Sequence, residues 1–379
     1  MIPRIAPLIG CIAGLLTAPG LRANPSPPSV ALPEKVYGVD GTSTNIYFRN
    51  LVYTPIEQSV LFDLEGGPAM QKRDRIVWHA NEKKPGGRFT LHLYSGFDFQ
   101  KIGERSAELV YTRPKPVQNA RELRWLAIGD SLTAPGFYIE QTREAVQKLY
   151  PGITLTPVGS QTAPQKDGEA TPIHHEGRGG WHWKRYLEAY QQNTAAGSIT
   201  SPFVFGPRGA DDFDFTRYLA AHHDGKAPEV ITIFLGANDV FGRSPRITEA
   251  DIQEIISTAR TMVQKIRAAA PNTIIGILTG LPPSDQEGFA LNYGNGVTEW
   301  QYRRAIQLYN VALIGEFDHR WDERLYIVPI HLGFDAATAY PASGGNTTNA
   351  LHPKADGFKP VAQTLTAWFA YLLENGFLQ

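Results

Sequence analysis

Beyond residue 122, short apolar runs alternate with longer amphipathic ones, and no other feature of the chain restricts its fold as much. Residues 125–128, 230–235, 273–278 and 325–328 are short and almost wholly apolar, as strands buried on both faces require. Residues 138–150, 250–270, 300–320 and 357–374 read as helices; in the second, Ile252, Ile255, Ile256, Ala259, Val263 and Ile266 recur at helical spacing. Pro151 and Pro271 end two of them. Strands alternating with helices predict an α/β unit, a parallel sheet with helices on both faces. No internal repeat is visible.

The chain before residue 118 has a different texture. Residues 36–39, 45–49, 59–63, 88–94 and 107–111 are short, rich in β-branched and aromatic side chains, and separated by Gly, Pro, Asn and Asp. Phe89, Leu91 and Leu93 alternate with Thr90 and His92, the period of a half-buried strand. Several such strands predict a small β-sandwich or jelly roll over residues 35–117. Arg113, Pro114, Lys115 and Pro116 form the expected linker to a second domain over residues 122–379.

The first residues read as a targeting signal. Arg4 supplies a positive charge, and residues 5–19 are apolar but too short and Pro-broken to span a bilayer. Cleavage after Ala23 would leave a Pro-rich, flexible lead-in over residues 24–34. The expected location is secreted or periplasmic. Cys11 is the only cysteine and lies inside this signal, so disulfide chemistry is not expected. Leu8-Ile9-Gly10-Cys11 resembles a bacterial lipoprotein box, but the apolar run before it is very short and continues beyond it. With 36 basic and 37 acidic residues, the charge balance points to neither nucleic acid nor an anionic membrane.

Four short motifs carry possible chemistry. Gly129-Asp130-Ser131-Leu132 follows the first buried strand, where open α/β sheets place ligands. Ser131 there is a candidate nucleophile, or else a helix cap. Glu176-Gly177-Arg178-Gly179-Gly180-Trp181 is a Gly-rich loop whose backbone N–H groups could face an oxyanion. Gly236-Ala237-Asn238-Asp239 follows the second buried strand, and Asn238 can donate its amide to a developing oxyanion or simply form a turn. Leu351-His352-Pro353 precedes the last helix, so His352 can reach back as a general base. No Gly-x-Ser-x-Gly surrounds Ser131, which argues against an α/β-hydrolase. No metal motif or cofactor loop is present, and the pairs His174-His175 and His222-His223 read as solvated loop residues.

Each motif alone is weak, but their order resembles that of the SGNH, or GDSL-type, serine hydrolases over residues 122–379. The resemblance implies a flavodoxin-like sheet, Ser131 as nucleophile and His352 as base. It also implies an oxyanion hole from the Ser131 N–H, the Asn238 amide and a loop glycine, placed at Gly177 with Gly179 as rival. One departure stands out: the family's aspartate three residues before the histidine is here Asn349. Asp335, Asp356 or a backbone carbonyl are the substitutes to consider. A β-rich domain ahead of such a unit resembles bacterial carbohydrate esterases, which implies an acetylated polysaccharide or oligosaccharide as substrate, with Trp181 and Trp183 as candidate cleft walls. The alternatives are a lipase of broader chain length, an acyltransferase, and a catalytically weak polysaccharide-binding protein.

Overall fold

The computed structural model describes residues 29–378 apart from 55–58, 118, 165–171, 196 and 295. The expected signal and Cys11 lie outside the described residues. The chain runs β1 (Lys35–Val39), β2 (Ser43–Tyr47), α1 (Phe48–Leu51), β3 (Val60–Gly66), β4 (Met70–Gln71), β5 (Arg75–His79), β6 (Gly86–Ser95) and β7 (Lys101–Thr112). It continues through β8 (Arg121–Gly129), α2 (Phe137–Leu149), β9 (Ile153–Val158), β10 (Gln161–Thr162), β11 (His174–Gly177) and α3 (Trp183–Glu188). A small hairpin of β12 (Gln192–Thr194) and β13 (Gly197–Ile199) leads to α4 (Phe215–His222), β14 (Val230–Phe234), α5 (Ala237–Phe241), α6 (Glu249–Ala269) and β15 (Ile274–Leu278). Then come α7 (Gln286–Tyr293), α8 (Glu299–Phe317), β16 (Leu325–Val328), α9 (Ala336–Ala339), the hairpin β17 (Ala342–Ser343) and β18 (Asn346–Thr347), and α10 (Lys359–Glu374).

The large sheet forms around β8. One edge of β8 pairs in parallel with β9 over residues 121–126 and then with β11 at Ile128 and Gly129. Its other edge pairs with β14, followed by β15 and β16, all parallel. The order β9-β8-β14-β15-β16 is the 2-1-3-4-5 arrangement of flavodoxin-like sheets, so the expected fold holds for this part of the chain. The antiparallel β10 at the margin makes the sheet mixed. Alternate residues of β8 face opposite sides: Leu126 and Ile128 join the core under α6 and α8, while Trp125 and Ala127 join the core under α2 and α10. Thr232, a hydroxyl in an apolar strand, accepts the Trp125 indole N–H at 2.8 Å.

Local sequence explains the longest helix. In α6 the Thr248 side chain takes the Asp251 N–H while Asp251 reaches back to the Thr248 N–H, a reciprocal cap that starts the helix. Ile252, Ile255, Ile256, Ala259, Met262, Val263 and Ile266 then form its buried stripe.

The N-terminal residues form two sheets, one ordered β1-β7-β6-β3 and one ordered β2-β5-β4. Side chains from both share one apolar cluster around Trp78, Phe89, Leu91 and Leu109. Two details depart from expectation. Residues 48–51 close into a helical turn instead of extending the strand expected over 45–49. The lead-in expected to be flexible is anchored at its described end: Ala31 and Leu32 are buried, and the Ala31 N–H donates to the Leu51 carbonyl at 2.8 Å. This end of the molecule is also fastened to the large sheet's side. Asn50 Nδ2 donates to the carbonyls of His331 at 2.7 Å and Phe334 at 2.8 Å, and the Tyr37 ring lies 5.1 Å from that of Tyr371 on α10.

Candidate active site

β8 and β14 diverge in their connections at the switch point of the sheet, and the crevice at their carboxyl ends is where such folds bind ligands. Ser131 lies two residues past β8, in a turn held by the Asp130 carbonyl, which accepts the N–H groups of Thr133 at 3.1 Å and Ala134 at 3.0 Å. The N-cap of α2 is Gly136, so Ser131 does not serve as the helix cap. Its Oγ is left for another partner, and that partner is His352 Nε2 at 2.9 Å.

His352 stands in the extended segment between β18 and α10, half-buried. Burial lowers its pKa below the usual histidine value, which keeps the imidazole neutral at pH 7. The atom facing its Nδ1 is Asn349 Oδ1, at 3.3 Å. The same Oδ1 accepts the backbone N–H of Leu351 at 3.0 Å and of His352 at 2.9 Å. An atom that accepts two N–H groups is the amide oxygen, not the nitrogen. The proton of the neutral ring therefore sits on Nδ1, and Nε2 presents its lone pair to Ser131. Asp335 and Asp356 do not take part. Asp335 caps α9 and binds Thr338, while Asp356 pairs with Lys359 at 2.8 Å on the surface.

Asn238 opens α5, directly after Gly236. Gly236 has φ of 116°, and a Cβ there would lie 2.3 Å from the Tyr309 ring, so only glycine allows this turn. Asn238 Nδ2 donates to Asp130 Oδ2 at 3.1 Å and to the Trp181 carbonyl at 2.9 Å. The amide thus sits against the residue that precedes Ser131, with both hydrogens engaged. Asp130 is fully buried, and its other oxygen accepts the Leu132 N–H at 2.8 Å. Burial pushes the Asp130 carboxyl up to about 7.

The Gly-rich loop leaves β11 beside Gly129, its parallel partner being Gly177. The Gly177 N–H donates to His175 Nδ1 at 2.9 Å, which withholds it from a ligand in this arrangement. Gly177 must be small for another reason, since a Cβ would lie 2.6 Å from the Ala134 nitrogen in the Ser131 turn. Gly179 and Gly180 are exposed, and their N–H groups have no partner among the described residues. The buried Glu176 anchors the loop, accepting from Ser160 N at 2.7 Å, Tyr218 Oη at 2.8 Å and Arg178 Nη2 at 2.8 Å.

The two tryptophans do not form an open wall. Trp183 is fully buried, with its indole N–H on Tyr309 Oη at 3.0 Å, and Trp181 is 7% exposed against Tyr186. The paired histidines are also engaged: His175 as above, and His223 with Tyr218 Oη at 3.1 Å. Among the described residues no group of three or more His, Cys, Asp or Glu side chains is arranged to hold a metal ion. Asp130 and Glu176 stand inside the quoted motifs, but the sequence assigns neither a role; both prove to be buried supports of the site.

No curated protein matches the sequence. Among solved structures, the chain is similar to a carbohydrate esterase family 3 protein from Talaromyces cellulolyticus, at 18% identity and a TM-score of 0.40 over 67% of this chain and 99% of that one. It is also similar to a carbohydrate acetylesterase family member from Sinorhizobium meliloti, at 17% identity and a TM-score of 0.38 over 66% of this chain and 99% of that one. The model of the GDSL-like Lipase/Acylhydrolase family matches residues 127–359, a span that runs from the end of β8 past His352, and the chain belongs to that family.

Proposed function

We propose that the protein is a secreted serine esterase that removes short acyl groups, chiefly O-acetyl, from carbohydrates. The observation that carries the reading is the 2.9 Å contact between Ser131 Oγ and His352 Nε2, with the ring tautomer held by Asn349 behind it. His352 takes the Ser131 proton as Oγ attacks the acetyl carbonyl carbon. The resulting oxyanion receives the Ser131 N–H, the Asn238 amide after it yields one present partner, and the N–H groups of Gly179 and Gly180. His352 returns the proton to the departing sugar oxygen, leaving acetyl-Ser131. Water, deprotonated by the same ring, then releases acetate and restores the serine. For the donor role expected of Gly177 we favour the next two glycines, whose N–H groups have no partner among the described residues, whereas that of Gly177 lies on His175.

The substrate class rests on the arrangement of the chain, a β-rich unit ahead of the hydrolase unit. We read residues 35–117 as a β-sandwich accessory domain and residues 122–379 as the hydrolase domain, with residues 1–23 as the export signal.

The test is an acyl-chain series of 4-nitrophenyl esters on wild type and Ser131→Ala, followed by acetate release from acetylated xylan. Fast acetyl cleavage, poor octanoyl cleavage and loss of both in the variant support the reading. Equal or better octanoyl rates make the enzyme a lipase-like hydrolase. No turnover of any ester, with no labelling by a serine-directed phosphonate, leaves a polysaccharide-binding protein.

A further inference from the structure

A cavity of about 200 Å³ opens beside Asn238, where the start of α3, the turn of α5 and the first turns of α6 meet. Polar side chains ring it, with Ile255 and Gly242 between them, and carbon atoms make up more of its surface than polar atoms do. His182 and Lys184 come from the start of α3, Asp239 and Arg243 from α5 and the residues after it, and Glu254 and Thr258 from α6.

Donors and acceptors are held in fixed places around it. His182 Nδ1 accepts the Arg185 N–H at 3.3 Å, and burial pulls the ring's pKa down to about 4. The ring is therefore neutral with its proton on Nε2, which has no partner among the described residues. Arg243 is braced by Glu254 at 2.9 Å and Asp251 at 3.3 Å, so its guanidinium is preorganised. Thr258 Oγ1 donates to the Glu254 carbonyl at 2.9 Å and keeps its lone pairs for another donor. Lys184 forms no ion pair among the described residues. Cations and carboxyls on this wall nearly balance. Such a lining disfavours a phosphate, which would meet Glu254 and Asp239. It suits a neutral ring bearing several hydroxyl groups, each both donor and acceptor.

We propose that this cavity is a glycosyl subsite, seating an unmodified pyranose ring of an oligosaccharide whose acetylated neighbour lies at Ser131. Asn238 is the shared residue, holding Asp130 beside Ser131 and lining the cavity. The proposal rests on the carbohydrate-esterase reading above and deepens it by naming where the polymer is held.

Gly242 at the cavity allows a clean block. Its φ of −66° is helical, and a Cβ there meets nothing within 4 Å, so Gly242→Tyr adds bulk without backbone strain. Calorimetry with unacetylated xylotetraose, cellotetraose and mannotetraose reads binding without catalysis. At least one should bind wild type, and Gly242→Tyr and Arg243→Ala should each weaken it about tenfold. In turnover, Gly242→Tyr should lower the preference for acetylated oligosaccharide over 4-nitrophenyl acetate by about tenfold. The subsite is overturned if no tetraose binds, if the tyrosine leaves binding unchanged, or if both substrates lose rate in equal proportion. Binding retained in a wild type that cleaves no ester removes the esterase reading and keeps the subsite; ester cleavage without any tetraose binding removes the subsite alone.

Discussion

Asn349 sets the character of the Ser131–His352 pair. An amide in place of a triad acid costs about 10⁴ in turnover where it turns the imidazole into the wrong tautomer. Here two backbone N–H groups fix its oxygen toward Nδ1, so the tautomer is right and only the negative charge is missing. With the His352 pKa lowered by burial, kcat/KM should rise with pH through a value below that of free histidine and stay level above it. An aspartate at 349 favours the imidazolium. Asn349→Asp should therefore shift the acid limb of the pH–rate profile to higher pH and raise the plateau; a large loss of rate would show instead that the amide itself is required. Asn238→Ala removes one donor from the oxyanion, and kcat for 4-nitrophenyl acetate should fall by about 10²–10³ with little change in KM. These residues were legible because each sits in or beside a short motif, at a strand end for Ser131 and Asn238 and ahead of the last helix for His352 and Asn349. What the motifs did not disclose is how individual hydrogens are spent: the Gly177 N–H goes to His175, and both amide hydrogens of Asn238 are taken in the absence of substrate.

Among the elements, the turns after β8 and β14 and the segment before α10 carry Ser131, Asn238 and His352. Gly236→Ala would force a Cβ into the Tyr309 ring at a backbone angle that L-residues avoid. A loss of about 2 kcal/mol or more is expected by denaturant titration, with activity falling as the Asn238 turn shifts. Thr248→Ala removes one half of the α6 capping box and should cost about 1 kcal/mol with kcat/KM for 4-nitrophenyl acetate retained. The central strands and the four long helices lie within four residues of where periodicity put them, because apolar spacing is a local property. β9 and β5 were not anticipated. Thr154 and Thr156 in β9 alternate with apolar residues beside Pro151 and Gly152, and β5 reaches only from Arg75 to His79, so neither offers a long enough run to stand out.

At the scale of the whole molecule, the N-terminal sheets behave as part of the hydrolase's support. Glu34 N donates to Asp318 Oδ2 at 2.8 Å, His331 Nε2 meets the Ala31 carbonyl at 2.9 Å, and Tyr37 packs against α10. Cutting the chain near residue 118 would leave Asn50's partners unsatisfied and uncover an apolar face. Full-length protein should unfold in a single calorimetric transition, and a fragment beginning at residue 119 should be insoluble or melt at clearly lower temperature. Two separate transitions would show that the two units fold independently.

Residue order alone determined the alternating layers, the positions of Ser131, Asn238 and His352, and the missing acid at 349, because these depend on local periodicity and on side-chain identity. Only the tertiary structure decided that a serine and a histidine 221 positions apart meet at 2.9 Å, that the amide of Asn349 faces its ring oxygen-first, and that Ala31 and Leu32, at the described end of the lead-in, are buried. Those outcomes depend on which strand pairs with which and on where each N–H finds an acceptor, and both are settled when distant segments are packed together.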